Sequence, residues 1–293
     1  MALRARAVPG NVPGDLFVDD RCISCDTCRR LAPATFGGGE DERAFVAAQP
    51  ADGEARRRAL LALVSCPVAA IGSASGAGVR EASRAFPVAL APEARDVLDC
   101  GYAAESSFGA ASWLLLRPAG NVLVDSPRFA APLAERVRAL GGARLMFLSH
   151  RDDVADHARW AEALGCARVL HARDVTAATR GVELRLEGDD PVRLADDLLA
   201  IPVPGHTPGS AALLFRETYL FTGDHLWGDA EGRLGASRAV CWWDWGEQIR
   251  SMERLAAHRF EWVIPGHGRP WRAPTVEAAQ AAVRALAAEM RER

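Results

Sequence analysis

Eight residues, His150-Arg151-Asp152-Asp153-Val154-Ala155-Asp156-His157, include five side chains able to bind a metal and follow directly on the apolar run Leu145-Met146-Phe147-Leu148. A run of that kind reads as a buried strand, and Val154, Ala158, Trp160, Ala161 and Leu164 suit one side of a helix. The ligands therefore fall where a strand ends and a helix begins. Imidazole and carboxylate are donors for zinc, iron and manganese. The arrangement recurs downstream. Leu198 to Val203 leads into Pro204-Gly205-His206-Thr207-Pro208-Gly209, Tyr219 to Phe221 into Thr222-Gly223-Asp224-His225, and Trp262 to Ile264 into Pro265-Gly266-His267-Gly268. Helix capping by Asp152 or Asp153, with a solvated His157, accounts for the first cluster taken alone. It does not account for the series, in which glycines allow tight turns and ligands on loops at one end of a sheet can converge.

With four such motifs in this order, the chain resembles the metallo-β-lactamase superfamily, whose signature is His-x-His-x-Asp-His followed by a separate His, Asp and His. The resemblance covers roughly residues 85 to 275. It implies that His150, Asp152 and His206 hold one metal, that Asp156, His157 and His267 hold the other, and that Asp224 bridges them. Asp156 would also orient the attacking hydroxide, so that Asp156 and Asp224 carry the catalysis. The implied fold is an αββα sandwich with two divalent metal ions, zinc or else iron or manganese. This chain departs from the signature at its second histidine. Asp152 stands nearest to that place, Asp153 is its rival, and two extra residues precede Asp156-His157.

The N-terminal part carries a different set of ligands, Cys22-Ile23-Ser24-Cys25-Asp26-Thr27-Cys28, a C-x2-C-x2-C run, with Ser65-Cys66-Pro67 further on. Thiolates so closely spaced can reach different corners of an iron–sulfur cubane. Structural zinc sites usually pair two C-x2-C knuckles, and here there is no second knuckle. The run and the later Cys-Pro resemble a bacterial-type ferredoxin. Two-cluster ferredoxins continue the run as C-x3-C-P. Here that place is Ala32-Pro33: the proline is present and the thiol is not. The resemblance therefore implies one [4Fe-4S] cluster on Cys22, Cys25, Cys28 and Cys66. Residues 34–48 suit a hairpin and Glu54 to Val64 a helix.

The small, flexible stretch Ser73-Ala74-Ser75-Gly76-Ala77-Gly78 marks a boundary between residues 1–78, a ferredoxin-like domain, and 79–293, a metallo-β-lactamase-fold domain. Beyond it, Ser112 to Arg117 and Asn121 to Asp125 read as strands paired about Pro118-Ala119-Gly120. Phe129 to Leu140 reads as an amphipathic helix stopped by Gly141-Gly142, and Val276 to Met290 as a last helix. Strand and helix signals alternate between them, so the fold class is α+β in two domains.

The chain has 293 residues, enough for two domains, and a formal net charge of −3, which offers no electrostatic case for nucleic acid. All 35 basic residues are arginine, a bias that reads as genome composition. No apolar run reaches the ~18 residues that span a bilayer, and the first ten residues lack the apolar core of a secretory signal. A cytoplasmic location is expected, and cysteines there point to metal or catalysis rather than disulfides.

The expected function is hydrolysis of an ester, thioester, lactone or phosphodiester small molecule, with the two metals activating a bound hydroxide. There is no G-x-S-x-G nucleophile element. The alternative is an oxidoreductase in which the cluster, served by an electron-transfer partner, feeds a non-haem iron in the second domain. Cys100, Cys166 and Cys241 read as small buried apolar residues. His171 and His258 read as ordinary histidines, and Arg233 and Arg238 as solvated, with binding of a substrate carboxylate or phosphate as the alternative. His225 is left out of the site despite adjoining Asp224. Cys241-Trp242-Trp243-Asp244-Trp245 reads as core packing or an interdomain seam, although aromatics also line pockets.

Overall fold

The computed structural model describes residues 2–39 and 41–292, and the chain divides into two compact units, Met1–Arg144 with Ala155–Gly165, and Leu145–Val154 with Cys166–Arg293. This partition does not coincide with the expected boundary at residue 78.

In the first unit, strands β1 (Leu16–Val18) and β4 (Ile71–Ser73) pair antiparallel, and β2 (Phe36–Gly38) and β3 (Ala44–Val46) form the expected hairpin. Helix α1 (Thr27–Leu31) carries Cys28 and packs on α2 (Gly53–Ser65). The Asp52 side chain caps α2 by accepting from Ala55 N–H at 2.8 Å. The helix stops at Cys66 because Pro67 follows, so a thiol is delivered at a helix end. A short helix α3 (Val79–Ser83) comes next. Four strands then run as an antiparallel meander: β5 (Val88–Ala91), β6 (Ala94–Asp99), β7 (Trp113–Leu115) and β8 (Val122–Val124). The pair Trp113↔Val124 is the turn-linked hairpin expected about Pro118-Ala119-Gly120. Helices α4 (Ala131–Ala139) and α5 (His157–Leu164) complete the unit. The helix after the first ligand cluster starts later than its periodicity suggests, at His157, with Asp156 in a left-handed conformation (φ 45°) just before it.

The ferredoxin-like part and the meander are joined inside this unit by two side-chain bonds. Arg30 on α1 reaches Asp99 at 2.6 Å, and Thr27 Oγ1 donates to Gly109 O at 2.9 Å.

The second unit begins with β9 (Leu145–Phe147), β10 (Ala167–His171) and β11 (Leu184–Leu186), all parallel. A six-stranded sheet follows, in the order β12 (Val192–Ala195), β13 (Leu198–Pro202), β14 (Ala211–Phe215), β15 (Tyr219–Gly223), β18 (Trp262–Pro265), β19 (Trp271–Arg272); the ribbon β16 (Trp227–Gly228) and β17 (Leu234–Gly235) lies between β15 and β18 in sequence. Strands β13 and β15 are each antiparallel to β14, and β18 is parallel to β15. Thus β13, β15 and β18 all point the same way, and the loops bearing His206, Asp224 and His267 leave the same edge.

Helices α6 (Trp245–Leu255) and α7 (Val276–Glu292) cover one face of that sheet. Ala279, Val283, Leu286, Ala287 and Met290 recur at helical spacing on α7 and meet Met252 and Leu255 of α6 over Leu214, Leu220 and Val263. Each fully buried leucine here contributes about 1.5–3 kcal/mol by leaving water.

Candidate functional site

In the second unit five side chains converge. His150, Asp152 and His206 offer ligand atoms all within 4.8 Å of one another, as do His150, Asp153 and Asp224. The His150 and His206 rings stand edge to face with centroids 4.8 Å apart. His150 Nε2 lies 4.0 Å from Asp152 Oδ2, 4.0 Å from Asp153 Oδ2 and 3.8 Å from Asp224 Oδ2. His206 Nε2 lies 3.5 Å from Asp152 Oδ2 and 3.8 Å from Asp224 Oδ2.

Both Nε2 atoms are buried without a hydrogen-bond partner. A ring nitrogen removed from water and left unbonded costs about 1–3 kcal/mol, and a cation among these carboxylates removes that cost. The residues therefore fit a metal.

The other ring nitrogens are held in place. His206 Nδ1 bonds Val240 O at 2.6 Å and so carries the proton, which leaves the Nε2 lone pair directed at the carboxylates. Ser149 Oγ bonds His150 Nδ1 at 2.9 Å, and His267 Nδ1 bonds Asp224 Oδ1 at 2.7 Å. Gly266 makes room for two carboxylates, since a Cβ there would sit 2.9 Å from both Asp153 Oδ2 and Asp224 Oδ1.

Charge follows from this crowding. Burial pushes the Asp224 carboxyl up, but His267 with His150 and His206 outweighs it and holds it below the usual carboxylate range. The neighbouring His206 holds Asp152 down as well. Burial pushes the His150 imidazole down, and does the same to His225, to about 3.

The expected ligands are not all brought together. Asp152 and Asp153 both face His150, Asp152 half in solvent and Asp153 buried. Asp156 and His157 belong to the first unit and to neither cluster. Asp156 is exposed, and its Oδ2 accepts from Phe129 N–H at 2.8 Å, because the left-handed turn before α5 aims the side chain at that amide. His157 is buried at the start of α5.

A residue without any sequence signal ties the site together. Asp174, fully buried, accepts from Arg151 N–H at 2.9 Å, Thr207 Oγ1–H at 2.5 Å and Gly209 N–H at 2.8 Å. One carboxylate thus joins the loop of His150 to the loop of His206.

The cysteines form a second site, in the first unit. Cys22, Cys25, Cys28 and Cys66 are free and line one pocket. Left-handed Ser24 (φ 62°) and Asp26 (φ 64°) curl the loop around it. Backbone amides already point at sulfur: Ala44 N–H lies 3.4 Å from Cys22 Sγ and Ala70 N–H 3.2 Å from Cys66 Sγ. Burial and the neighbouring thiols push Cys28 up, a crowding that iron binding would relieve. The donor set fits a cluster.

Cys100 and Cys166 are buried and apart from this pocket, and His171 is committed to Gly188 O at 2.9 Å and to Arg173 N–H at 3.2 Å.

Residues 18–73 match the family model described as the 4Fe-4S single cluster domain of Ferredoxin I. Among solved structures, the chain is similar to the DIM-1 metallo-β-lactamase, at 16% identity and TM-score 0.50 over 66% of this chain and 92% of that one. It is also similar to ETHE1 from Myxococcus xanthus, at 19% identity and TM-score 0.45 over 63% and 81% of the two chains. A third is the di-iron-bound form of TTHA1623, at 24% identity and TM-score 0.45 over 64% and 94%. A curated relative, the uncharacterized protein YobT of Bacillus subtilis (strain 168), is 35% identical over 94 residues. That match takes in 29% of this chain and spans 40% of the relative's length.

The fold and sites define a metallo-β-lactamase-fold protein that carries a ferredoxin domain. In this chain the ferredoxin domain is of the single-cluster 4Fe-4S class and precedes the sandwich. No described helix is long and apolar enough to cross a membrane.

Proposed function

We propose that the protein is a metal-dependent hydrolase of ester, thioester, lactone or phosphodiester bonds. The observation that carries this is the convergence of His150 Nε2 and His206 Nε2, both unbonded, on the carboxylates of Asp152, Asp153 and Asp224. His150, His206, Asp153 and Asp224 would hold the metal, with Asp152 beside it, and Cys22, Cys25, Cys28 and Cys66 would hold the cluster. A divalent ion in such a site lowers the pKa of a coordinated water and polarises the bond under attack.

The protein's own groups do the rest. His206 stays in one tautomer through Val240 O, and His267 orients Asp224 by donating from Nδ1. Of the three clustered carboxylates Asp152 is the most exposed, at 46% against 2% for Asp153 and 15% for Asp224. Asp152 Oδ2 is therefore suited to take the proton of the attacking water and to return it to the leaving oxygen or sulfur. The second metal implied for Asp156, His157 and His267 rests on the family resemblance alone.

A second reading, an oxidoreductase, is favoured by the ferredoxin domain at residues 18–73 and by a donor set of two histidines with carboxylates, which also suits non-haem iron. The deciding experiment is metal analysis of the second site by anomalous scattering, together with an ester and phosphodiester panel run with the cluster oxidised and reduced. Hydrolysis independent of the cluster's redox state is the expected result. Iron in the site, no hydrolysis, and oxygen consumption that needs electrons from the cluster would replace it with the second reading.

A further inference from the structure

Within the stretch Cys241 to Trp245, read as core packing or an interdomain seam, Trp242 and Trp243 are not core. Val240, Trp242 and Trp243 are 39%, 64% and 48% exposed. Only Trp245 turns inward, where its Nε1–H donates to Met290 O at 3.1 Å and its ring packs on the core of α6 and α7. Large apolar side chains grouped in water mark a surface that binds something.

This stretch is bonded to the metal-site loop along its length. Val240 O accepts from His206 Nδ1 at 2.6 Å, Trp242 N–H donates to His206 O at 3.1 Å, and Asp244 N–H donates to Gly205 O at 3.0 Å. The Cys241 thiol also reaches Gly205 O, at 3.2 Å. As a result the Trp242 ring lies 6.2 Å from the His206 ring, centroid to centroid.

The flanking charges, Arg238 and Asp244, are of opposite sign, and the Asp244 carboxylate is taken up by the α6 cap at Glu247 N–H, 2.8 Å away. The exposed face therefore offers aromatic surface and no concentration of charge.

We infer that Trp242 and Trp243 form the specificity-determining surface of the site and receive the apolar acyl or aromatic part of the substrate, next to the bond presented to His206 and its carboxylates. The inference rests on the hydrolase reading for the reaction but not for the binding. Aromatic faces hold apolar chains through area and dispersion, and Trp does so at a low cost in side-chain freedom.

The test uses the full-length protein and two measurements. The first is binding of 2-decanone and of acetone to metal-free protein, followed by tryptophan emission; these ketones keep a carbonyl and carry no leaving group. The second is the selectivity ratio for p-nitrophenyl octanoate over the acetate ester in metal-loaded protein. In wild type, 2-decanone should shift the emission to shorter wavelength in a saturable way and acetone should not. The double variant Trp242→Ala, Trp243→Ala should bind 2-decanone at least tenfold more weakly, and the selectivity ratio should fall at least tenfold, mostly through KM. Trp242→Phe should keep most of both.

Equal binding of 2-decanone by the double variant would overturn the inference. So would a wild-type dimer by light scattering that the double variant converts to monomer, since a second copy of the chain would then cover these rings. If no ester is cleaved but the binding result holds, the surface stands and the hydrolase reading falls. If esters are cleaved without any effect of the tryptophans, the reverse is true.

Discussion

Asp174 and Thr207 are joined by a buried hydrogen bond of 2.5 Å, and the same carboxylate accepts from Arg151 N–H and Gly209 N–H. Neither residue faces the candidate metal centre as a ligand, yet the bond connects the two loops on which His150 and His206 stand. Asp174→Ala leaves the Arg151 and Gly209 amides without this acceptor, at about 1–3 kcal/mol each, so a loss of at least ~2 kcal/mol in stability is expected by denaturant unfolding. Asp174→Asn, which keeps one acceptor oxygen, should fold better while still binding metal about 10- to 100-fold more weakly. Chelator competition measures that. Unchanged metal affinity in Asp174→Asn would reduce this residue to a structural one.

The two adjacent carboxylates can be separated in the same way. Asp153 is buried and Asp152 is 46% exposed, though both lie 4.0 Å from His150 Nε2. Asp153→Asn should therefore remove more metal than Asp152→Asn, which should act mainly on kcat. More metal lost from Asp152→Asn than from Asp153→Asn, with kcat lost in Asp153→Asn at full metal content, would exchange the two roles.

Gly109 reports on the cluster from a distant part of the chain. Its φ is +87°, and a Cβ would meet Cys25 Cβ at 2.7 Å and Sγ at 2.8 Å. Gly109→Ala adds a left-handed cost of about 1 kcal/mol and drives into the loop proposed to hold iron. A loss of cluster absorbance and acid-labile sulfide is expected, against about four iron atoms per N-terminal cluster in wild type. Retention of the full cluster in the variant would mean that the Cys25 loop yields without consequence.

Glu183 supplies a pH signature. Its carboxylate bonds Arg168, at 2.7 Å to Nη2 and 2.7 Å to the backbone N–H, which draws its pKa down from 4.5 to about 2. The unfolded chain protonates first as pH falls, so the pair stabilises fully above pH 4.5 and its contribution is lost between 4.5 and about 2. Because the Glu183 side chain is 45% exposed, the contribution is discounted to ~0.5–1 kcal/mol. Glu183→Gln should lower stability by that much at pH 7 and match wild type near pH 2, as read from urea midpoints across the range.

Much of the architecture was legible in local sequence. Cys22, Cys25 and Cys28 announce a cluster loop because they are close in the chain, and the helix that ends at Cys66-Pro67 is marked by its proline and its Asp52 cap. The runs before His206, Asp224 and His267 read as strands, and they are β13, β15 and β18. What periodicity does not encode is where a side chain is aimed once the loop closes. Asp156 has the residue type and place of a ligand, but a left-handed turn gives its carboxylate to Phe129 N–H. Asp153 was only a rival in the sequence and becomes a buried neighbour of His150.

The tryptophans make the same distinction. Composition alone favours burial for Trp242, Trp243 and Trp245, and only the backbone bonds from His206 and Gly205 decide that two of them stand in solvent. Asp174 carries no signal at all, since a carboxylate that accepts from residues 151, 207 and 209 is defined by contacts far apart in sequence. The sequence by itself determined the element order and the single-cluster spacing of the cysteines, because each depends on residues near one another in the chain. The tertiary structure alone decided which carboxylates meet the histidines and that the exposed Trp242 stands beside His206, because burial and hydrogen-bond direction are set only when distant loops pack together.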